Sequence, residues 1–212
     1  MLRSARTIAL TVTLAGVLAV SACGQSTQQA GPAAGKAAGQ SSAAPSGPAA
    51  ADGHNDADVT FVTDMIPHHE QAVEMADMAL SQASNAEVTK LAQAIKDAQD
   101  PEIRTMTGWL QSWGQPAPET MEGHDMGSMG SGDEGGMMSA QEMSDLGGAD
   151  GADFDTMWLE LMTRHHRGAV ASAQTELTAG SSAEAKKLAQ DIIDAQNREI
   201  DEMTSLLGTL KK

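Results

Sequence analysis

The fold is decided by residues 58–82, which read DVTFVTDMIPHHEQAVEMADMALSQ. At 100° per residue, the rotation of an α-helix, the apolar and small side chains fall on one face together with one histidine. This pattern predicts an amphipathic helix whose apolar stripe packs against a core. The stripe consists of Phe61, Val62, Met65, His69, Ala72, Ala76, Leu80 and Ala83.

A second helix is predicted after a break at Ser84-Asn85. Ser84 and Glu87 match the S-x-x-E pattern of a capping box, which satisfies free backbone N–H groups in the first turn. Pro67 and Pro101 lie inside the two helices, and we expect kinks there instead of breaks because the apolar stripes stay in phase. The second stripe consists of Val88, Ala92, Ile95, Gln99, Ile103, Met106, Leu110 and Trp113.

The two-helix pattern occurs twice in the chain. Residues 58–115 align without a gap with residues 155–212, at a constant offset of 97, and 24 of the 58 pairs are identical. Chemically distinctive residues are among the identical pairs, so compositional bias does not explain the match. Two helical hairpins with one apolar stripe each bury those stripes best against each other. We therefore predict an all-α fold, a four-helix bundle made of two duplicated αα-hairpins.

The N-terminus has the features of a secretion signal. Two arginines precede an apolar run over residues 7–20, which is shorter than the roughly 20 residues that span a bilayer but matches a signal-peptide core. The run closes on Val20-Ser21-Ala22-Cys23, which resembles the bacterial lipobox, where the cysteine is acylated. We predict lipidation of Cys23 and a lipid anchor on the extracytoplasmic face of the cell membrane. The alternative is an ordinary cleaved signal with an incidental cysteine.

Two other segments lack apolar periodicity. The segment before the first hairpin is rich in Ala, Gly, Ser, Gln and Pro and predicts a flexible tether. The segment between the hairpins contains nine acids, six methionines and no Lys or Arg, and we expect it to be mostly disordered. The exception is a short helix over Ser139–Leu146, which Ser139 and Glu142 would cap. The predicted order is signal peptide 1–22, lipidated tether 23–57, hairpin 58–113, linker 114–153 and hairpin 154–212.

Composition excludes several classes of protein. With 41% hydrophobic residues the chain can bury a core, which excludes wholesale disorder. Its few aromatic residues suit close-packed helices better than a β-sandwich. The net charge of −16 disfavours a nucleic-acid partner, since phosphate binding needs a basic face, and it attracts cations. A single cysteine excludes a disulfide within the monomer.

Each hairpin carries the same pair of motifs. They read Met65-Ile-Pro-His-His69 with Gln99-Asp-Pro-Glu-Ile-Arg-Thr-Met106, and Met162-Thr-Arg-His-His166 with Gln196-Asn-Arg-Glu-Ile-Asp-Glu-Met203. This combination resembles the family called domain of unknown function 305. The resemblance implies a ferritin-like helical bundle in a secreted or membrane-anchored bacterial protein, and some relatives are described as extracytoplasmic copper-binding proteins. The second copy departs from the first where Met75 and Met78 become Ser172 and Thr175, so the hairpins are not equivalent if those methionines are ligands.

The motifs bring imidazoles, thioethers, a carboxylate and an amide onto the facing stripes of each hairpin. Imidazole suits Cu, Zn, Fe and Ni, whereas thioether sulfur selects Cu(I), so the mixture favours copper. The two glutamates would be ligands or hydrogen-bond acceptors of ligands. The predicted metal residues are His68, His69, His165, His166, Met65, Met162, Met106, Met203, Glu102 and Glu199, with His124, Met126, Met129, Met75 and Met78 as accessory candidates.

A purely structural interpretation of the motifs stays open at this point. Met65 and Met106 would fill gaps in an alanine-rich core, Glu102 would accept a hydrogen bond from His69, and Gln99 would satisfy its neighbours. The motif would then lock the hairpin and bind nothing, and the bundle would be an extracytoplasmic interaction module for an unknown protein partner. The copper interpretation predicts a lipoprotein for metal sequestration or delivery.

Catalysis is not expected under either interpretation. A di-iron enzyme needs carboxylates from all four helices, whereas the inward stripes offer only Glu102 and Glu199. No serine or free cysteine stands beside the histidines in a pattern typical of nucleophilic catalysis.

Overall fold

The computed structural model describes residues 53–118 and 135–211, and four long helices and one short helix make up this part of the chain. The first helices of the two hairpins pack against each other, and the second helices do so less extensively. The predicted all-α bundle is confirmed: the described residues form no β-strand, and none of their helices is long and apolar enough to cross a membrane. The helices are α1 (Asp56–Gln82), α2 (Ala86–Ser112), α3 (Ala140–Gly148), α4 (Gly151–Ala179) and α5 (Ala183–Leu210).

The helix boundaries differ slightly from those predicted. α1 begins at Asp56 and α4 at Gly151, a few residues inside the predicted tether and linker. Asn55 explains the first difference, because its side chain accepts the backbone N–H groups of Ala57 and Asp58 and so caps α1 early. α1 and α2 continue without a break through Pro67 and Pro101.

The capping box predicted at the start of α2 is wrong. Asn85 is the N-cap, and its side chain accepts the backbone N–H of Glu87 at 2.8 Å. Ser84 contacts the other hairpin, where its N–H and hydroxyl donate to Asp155, the fifth residue of α4, at 3.1 and 2.5 Å. The box predicted for Ser139 with Glu142 is present and starts α3. The local sequence pattern therefore predicted the cap at Ser139 correctly. It failed at Ser84, because the distant carboxylate of Asp155 binds that side chain.

The first hairpin binds the turn of the second hairpin in the same way. Asp58, the residue equivalent to Asp155, accepts the backbone N–H groups of Ser181 and Ser182 in the turn between α4 and α5, at 2.9 to 3.1 Å. The first helix of each hairpin therefore holds the turn of the other hairpin. These backbone donors have no helical partner, so the buried carboxylates satisfy groups that would otherwise be costly to bury.

A second buried acid lies against Asp58. Glu176 is only 1% exposed, and a Cβ at Gly180 would approach its Oε1 to 2.0 Å, so the position requires glycine. Burial and the neighbouring Asp58 raise the pKa of Glu176 to about 8, against a smaller opposing effect of Lys186. Burial acts to raise the pKa of Asp58 as well, but Glu176 and the backbone N–H groups of Asn55, Ser181 and Ser182 hold it below its usual value. At neutral pH Glu176 is therefore the protonated member of this pair and Asp58 the ionised one.

Two apolar cores occupy the two halves of the bundle. One includes Phe154 and Trp158 and the other includes Phe61 and Leu110. Each long helix contributes to both cores and carries buried polar side chains between its two contributions. We call the four histidines and two of the glutamines among them the polar layer, and its members are His68, His69, Gln99, His165, His166 and Gln196.

The chain before α3 crosses α1 and α4 next to this layer, and we call residues 135–139 the strap. The Gln71 amide holds the Met138 backbone through two hydrogen bonds, at 2.9 and 2.7 Å. Gly168 permits the contact, because a Cβ there would lie 1.8 Å from the Gly135 carbonyl oxygen. The expectation that the linker is disordered outside its short helix is therefore wrong for the strap.

Candidate metal centre

The four histidines of the two motifs meet in the middle of the bundle. The ring centroids of His68 and His165 are 3.8 Å apart, and those of His165 and His166 are 6.2 Å apart. His68 is 6% exposed and the other three rings are fully buried. Because α1 and α4 pack against each other, the duplication brings the two His–His pairs into one cluster.

A carboxylate holds the second histidine of each motif. Nε2 of His69 lies 2.8 Å from Glu102, and Nε2 of His166 lies 2.7 Å from Glu199. A carboxylate accepts hydrogen bonds, so the ring donates from Nε2. Both rings keep a buried Nδ1 without a partner. Each glutamate thus accepts a hydrogen bond from the imidazole and fixes the orientation of the ring. Metal-binding histidines are commonly oriented in this way.

The first histidine of each motif is in a less polar setting. His68 donates from Nε2 to the Gly135 carbonyl at 2.9 Å. Burial, reinforced by His69, lowers the pKa of His68 to about 3, and the hydrogen bond to Gly135 offsets this only in part. The ring is therefore neutral at pH 7, with the proton on Nε2 and the lone pair on the buried, unpartnered Nδ1.

His165 is the most isolated imidazole of the cluster. Both of its ring nitrogens are buried without a hydrogen bond. Burial, with a further contribution from His68, lowers the pKa of His165 well below its usual value. The nearby backbone of His68 acts to raise the pKa of His165, but this effect is smaller than that of burial. His165 is therefore a neutral ring whose lone pair no protein group uses.

The amides of Gln99 and Gln196 complete the polar layer. Both are buried, and neither the oxygen nor the nitrogen of either amide has a partner. Gln99 therefore does not satisfy its neighbours, as the structural interpretation of the motif required. An unsatisfied buried polar group costs about 1–3 kcal/mol, so a layer that served only to lock the hairpins would pair these atoms. Unpaired donors and acceptors favour a ligand-binding role.

Methionine side chains border the layer in both cores. Met65 and Met106 belong to one core, Met162 and Met203 to the other, and all four are buried. They fill the core, as the structural interpretation predicted, and they also place thioether sulfur on either side of the histidines.

Two of the accessory candidates, Met75 and Met78, do not join the cluster. Met75 is buried in the core that contains Trp158, and Met78 packs against the same core. The lipidation site Cys23 and the accessory candidates His124, Met126 and Met129 lie outside the described residues. The sequence interpretation missed Gly135, whose carbonyl fixes the His68 ring from 67 residues away along the chain.

The donor atoms in and beside the layer are imidazole nitrogens and thioether sulfurs. Among residues 53–118 and 135–211, no three His, Cys, Asp or Glu side chains are arranged to hold a metal ion. Structural zinc requires four such ligands and di-iron sites require several carboxylates, whereas Glu102 and Glu199 are engaged by histidines. Facing imidazoles bordered by thioethers match the ligand preference of Cu(I).

These features define a duplicated four-helix protein with a buried histidine layer. The sequence matches the family described as domain of unknown function (DUF305) over residues 58–207. The chain belongs to this family. Among curated proteins, no significant match was found.

Solved structures of similar proteins share the fold. A DUF305 protein from Streptomyces coelicolor, described as secreted, is 33% identical with a TM-score of 0.64, over 73% of this chain and 92% of the other. A DUF305 fragment from Deinococcus radiodurans is 32% identical with a TM-score of 0.64, over 73% and 97%. CopM in its Cu(II)-bound form is 34% identical with a TM-score of 0.61, over 72% and 96%. CopM has also been crystallised in Cu(I)-bound and Ag-bound forms.

Proposed function

We propose that this protein binds copper as Cu(I) in the polar layer and holds it as cargo outside the cytoplasm, for sequestration or delivery. One observation carries the proposal: the rings of His68 and His165 lie 3.8 Å apart, and both have buried nitrogens that no protein group uses. Neutral imidazoles bind a metal without first losing a proton. The cluster can therefore accept a cation at pH 7 without that cost.

Similar proteins support a soft metal as the ligand. CopM, about a third identical to this chain, has been crystallised with Cu(II), with Cu(I) and with Ag. Silver and Cu(I) are both soft monovalent ions, which thioether and imidazole donors accommodate. The motif residues of this chain supply both donor types, in His68, His69, His165 and His166 and in Met65, Met106, Met162 and Met203.

Sequestration or delivery at the cell surface is the setting we propose. The predicted lipid on Cys23 would anchor the protein, and a similar protein from Streptomyces coelicolor is described as secreted. The net charge of −16 raises the local concentration of cations. We assign no catalytic role, because the two glutamates nearest the histidines orient those rings.

Thermal unfolding in the presence of metal tests the proposal. A ligand at 100 times its Kd that binds only the folded state adds about 2.7 kcal/mol, so we expect Cu(I) to raise the Tm by about 5–10 °C. Mg²⁺ should leave the Tm unchanged, because the layer offers no carboxylate cage. The double variant His68→Ala/His69→Ala should reduce the Cu(I) shift by removing one of the two His–His pairs.

The alternative function is decided by the same measurement. If Cu(I), Cu(II) and Zn²⁺ all leave the Tm unchanged, the histidine layer is structural. The bundle is then an extracytoplasmic interaction module for a protein partner, and the copper proposal is wrong.

A further inference from the structure

A surface cleft of about 300 Å³ borders the polar layer at His68. His68 and Met65 belong to its inner part, whereas Asp64 is exposed. The cleft therefore connects solvent with the histidine cluster. Its lining residues are Asp64, Met65, His68, Gly135, Met137 and Ser172.

This access cleft exists because the two halves differ at two equivalent positions. At the offset of 97, Ser172 corresponds to Met75 and Asp64 to Leu161. Met75 is fully buried in a core, and Leu161 packs against that core. Met75 and Leu161 thus fill two positions with large apolar side chains. The equivalent positions hold the small Ser172 and the charged Asp64, which leave the cleft open. His165 is accordingly 0% exposed, whereas His68 is 6% exposed.

Met137 is the one thioether that the strap adds to the lining of the cleft. Its neighbour Met138 is buried in a core and held by Gln71. Met137 itself is half-buried and belongs to neither core cluster. Because the strap is held on both sides of Met137, by the bond of the Gly135 carbonyl to His68 and by the bonds of Gln71 to Met138, the Met137 side chain stays at the cleft. Packing in the two cores therefore does not explain the position of the Met137 side chain.

We propose that this cleft is the route by which Cu(I) reaches the polar layer, with Met137 as a transient ligand and Asp64 attracting the cation to the opening. The inference rests on the proposed function and adds the residues that control uptake. A soft thioether suits a passing Cu(I) ion, and a carboxylate raises the cation concentration at the opening. A second cleft of about 390 Å³ adjoins through Asp64 and Ser172 and adds Asp56 to the acidic surface.

Transfer from Met137 to the layer is a ligand exchange. The bond between copper and the neutral thioether breaks as a bond to the Nδ1 lone pair of His68 forms. Copper stays Cu(I), so the step needs no oxidant or reductant. The Nε2–H bond of His68 to the Gly135 carbonyl holds the ring during the exchange.

The rate of copper transfer from the Cu(I)–bicinchoninate complex, followed by stopped flow, tests the proposal in the full chain. Met137→Leu removes the sulfur at nearly constant volume, and Ser172→Leu fills, without adding a second thioether, the position that Met75 occupies in the other half. Met157→Leu is the matched control for sulfur loss in a half-buried methionine that packs on a core. Thr175→Leu is the matched control for filling, since Thr175 lines the adjoining cleft and not this one.

We expect Met137→Leu and Ser172→Leu each to slow transfer about tenfold, while the stoichiometry and the equilibrium affinity stay within twofold and both controls transfer at the wild-type rate. Unchanged rates in Met137→Leu and Ser172→Leu overturn the access cleft alone. An affinity loss in Met137→Leu as large as its rate loss makes Met137 a resident ligand and also overturns the transient role. A wild-type protein that takes no copper from the chelator overturns both this proposal and the copper function.

Discussion

Replacing His165 by leucine is expected to raise the melting temperature of the copper-free protein and to abolish its stabilisation by Cu(I). His165 is fully buried and neither ring nitrogen is hydrogen-bonded. Removing an unsatisfied buried polar group recovers about 1–3 kcal/mol, and leucine leaves little void in its place. For a chain of this size the gain corresponds to a rise in Tm of about 2–10 °C. Thermal unfolding with and without Cu(I) measures both effects.

The adjacent His166 supplies the matched control. It is equally buried on the same helix, but it donates to Glu199 at 2.7 Å. His166→Leu leaves that carboxylate without its partner, so we expect a lower Tm in the copper-free protein. A loss of stability in His165→Leu similar to that in His166→Leu would show that both rings are structural. Such a result contradicts the assignment of His165 as a copper ligand whose unpaired ring nitrogens lower the stability of the copper-free protein.

The stability of the wild-type protein is expected to pass through a maximum near pH 6.5. The pKa of Glu176 is raised to about 8 in the folded state, so the folded protein binds a proton that the unfolded chain releases above about pH 4.5. Stability therefore falls by about 1.4 kcal/mol per pH unit as the pH rises towards 8, or about 2 kcal/mol from pH 6.5.

Below pH 6.5 the histidines reverse the trend. The pKa values of His68 and His165 are lowered by burial in the folded state, so the unfolded chain takes up protons that the folded protein excludes. Each of the two histidines lowers stability by about 1.4 kcal/mol per pH unit of acidification, which outweighs the single opposing contribution of Glu176. Urea unfolding between pH 5 and 9 measures this profile.

Glu176→Gln isolates the alkaline side of the profile. A glutamine side chain is neutral, like the protonated carboxyl that it replaces, but it does not titrate, so the decline between pH 6.5 and 8 should disappear while stability at pH 6.5 stays near that of the wild type. Glu202→Gln, a change at an exposed glutamate of α5, should leave the decline unchanged. A decline that persists in Glu176→Gln would mean that Glu176 is ionised in the folded protein and does not share a proton with Asp58.

The sequence predicts the bundle well because the relevant forces act at helical spacing. The apolar stripes and the capping box at Ser139 depend on residues within a few turns of each other, and the offset of 97 follows from aligning the two copies directly. The approximate location of the histidines follows from the same periodicity. The hydrogen bond between His69 and Glu102 was also foreseeable, since both lie on the facing stripes of one hairpin.

Contacts between the two hairpins could not be predicted from the local sequence pattern. Ser84 caps nothing in its own hairpin because Asp155, 71 residues later, competes for its hydroxyl and its N–H. The Gly135 carbonyl that fixes His68 lies in a segment whose composition indicates disorder. Ser172 looks like an ordinary departure from the repeat, and its effect on the access cleft requires the packed structure.

Anomalous diffraction at the copper absorption edge, from crystals of the Cu(I)-loaded protein, tests the central claim most directly. We predict a strong peak inside the polar layer, at bonding distance from Nδ1 of His68 and from a ring nitrogen of His165. Copper bound only at the protein surface, with no peak between α1 and α4, would contradict the account.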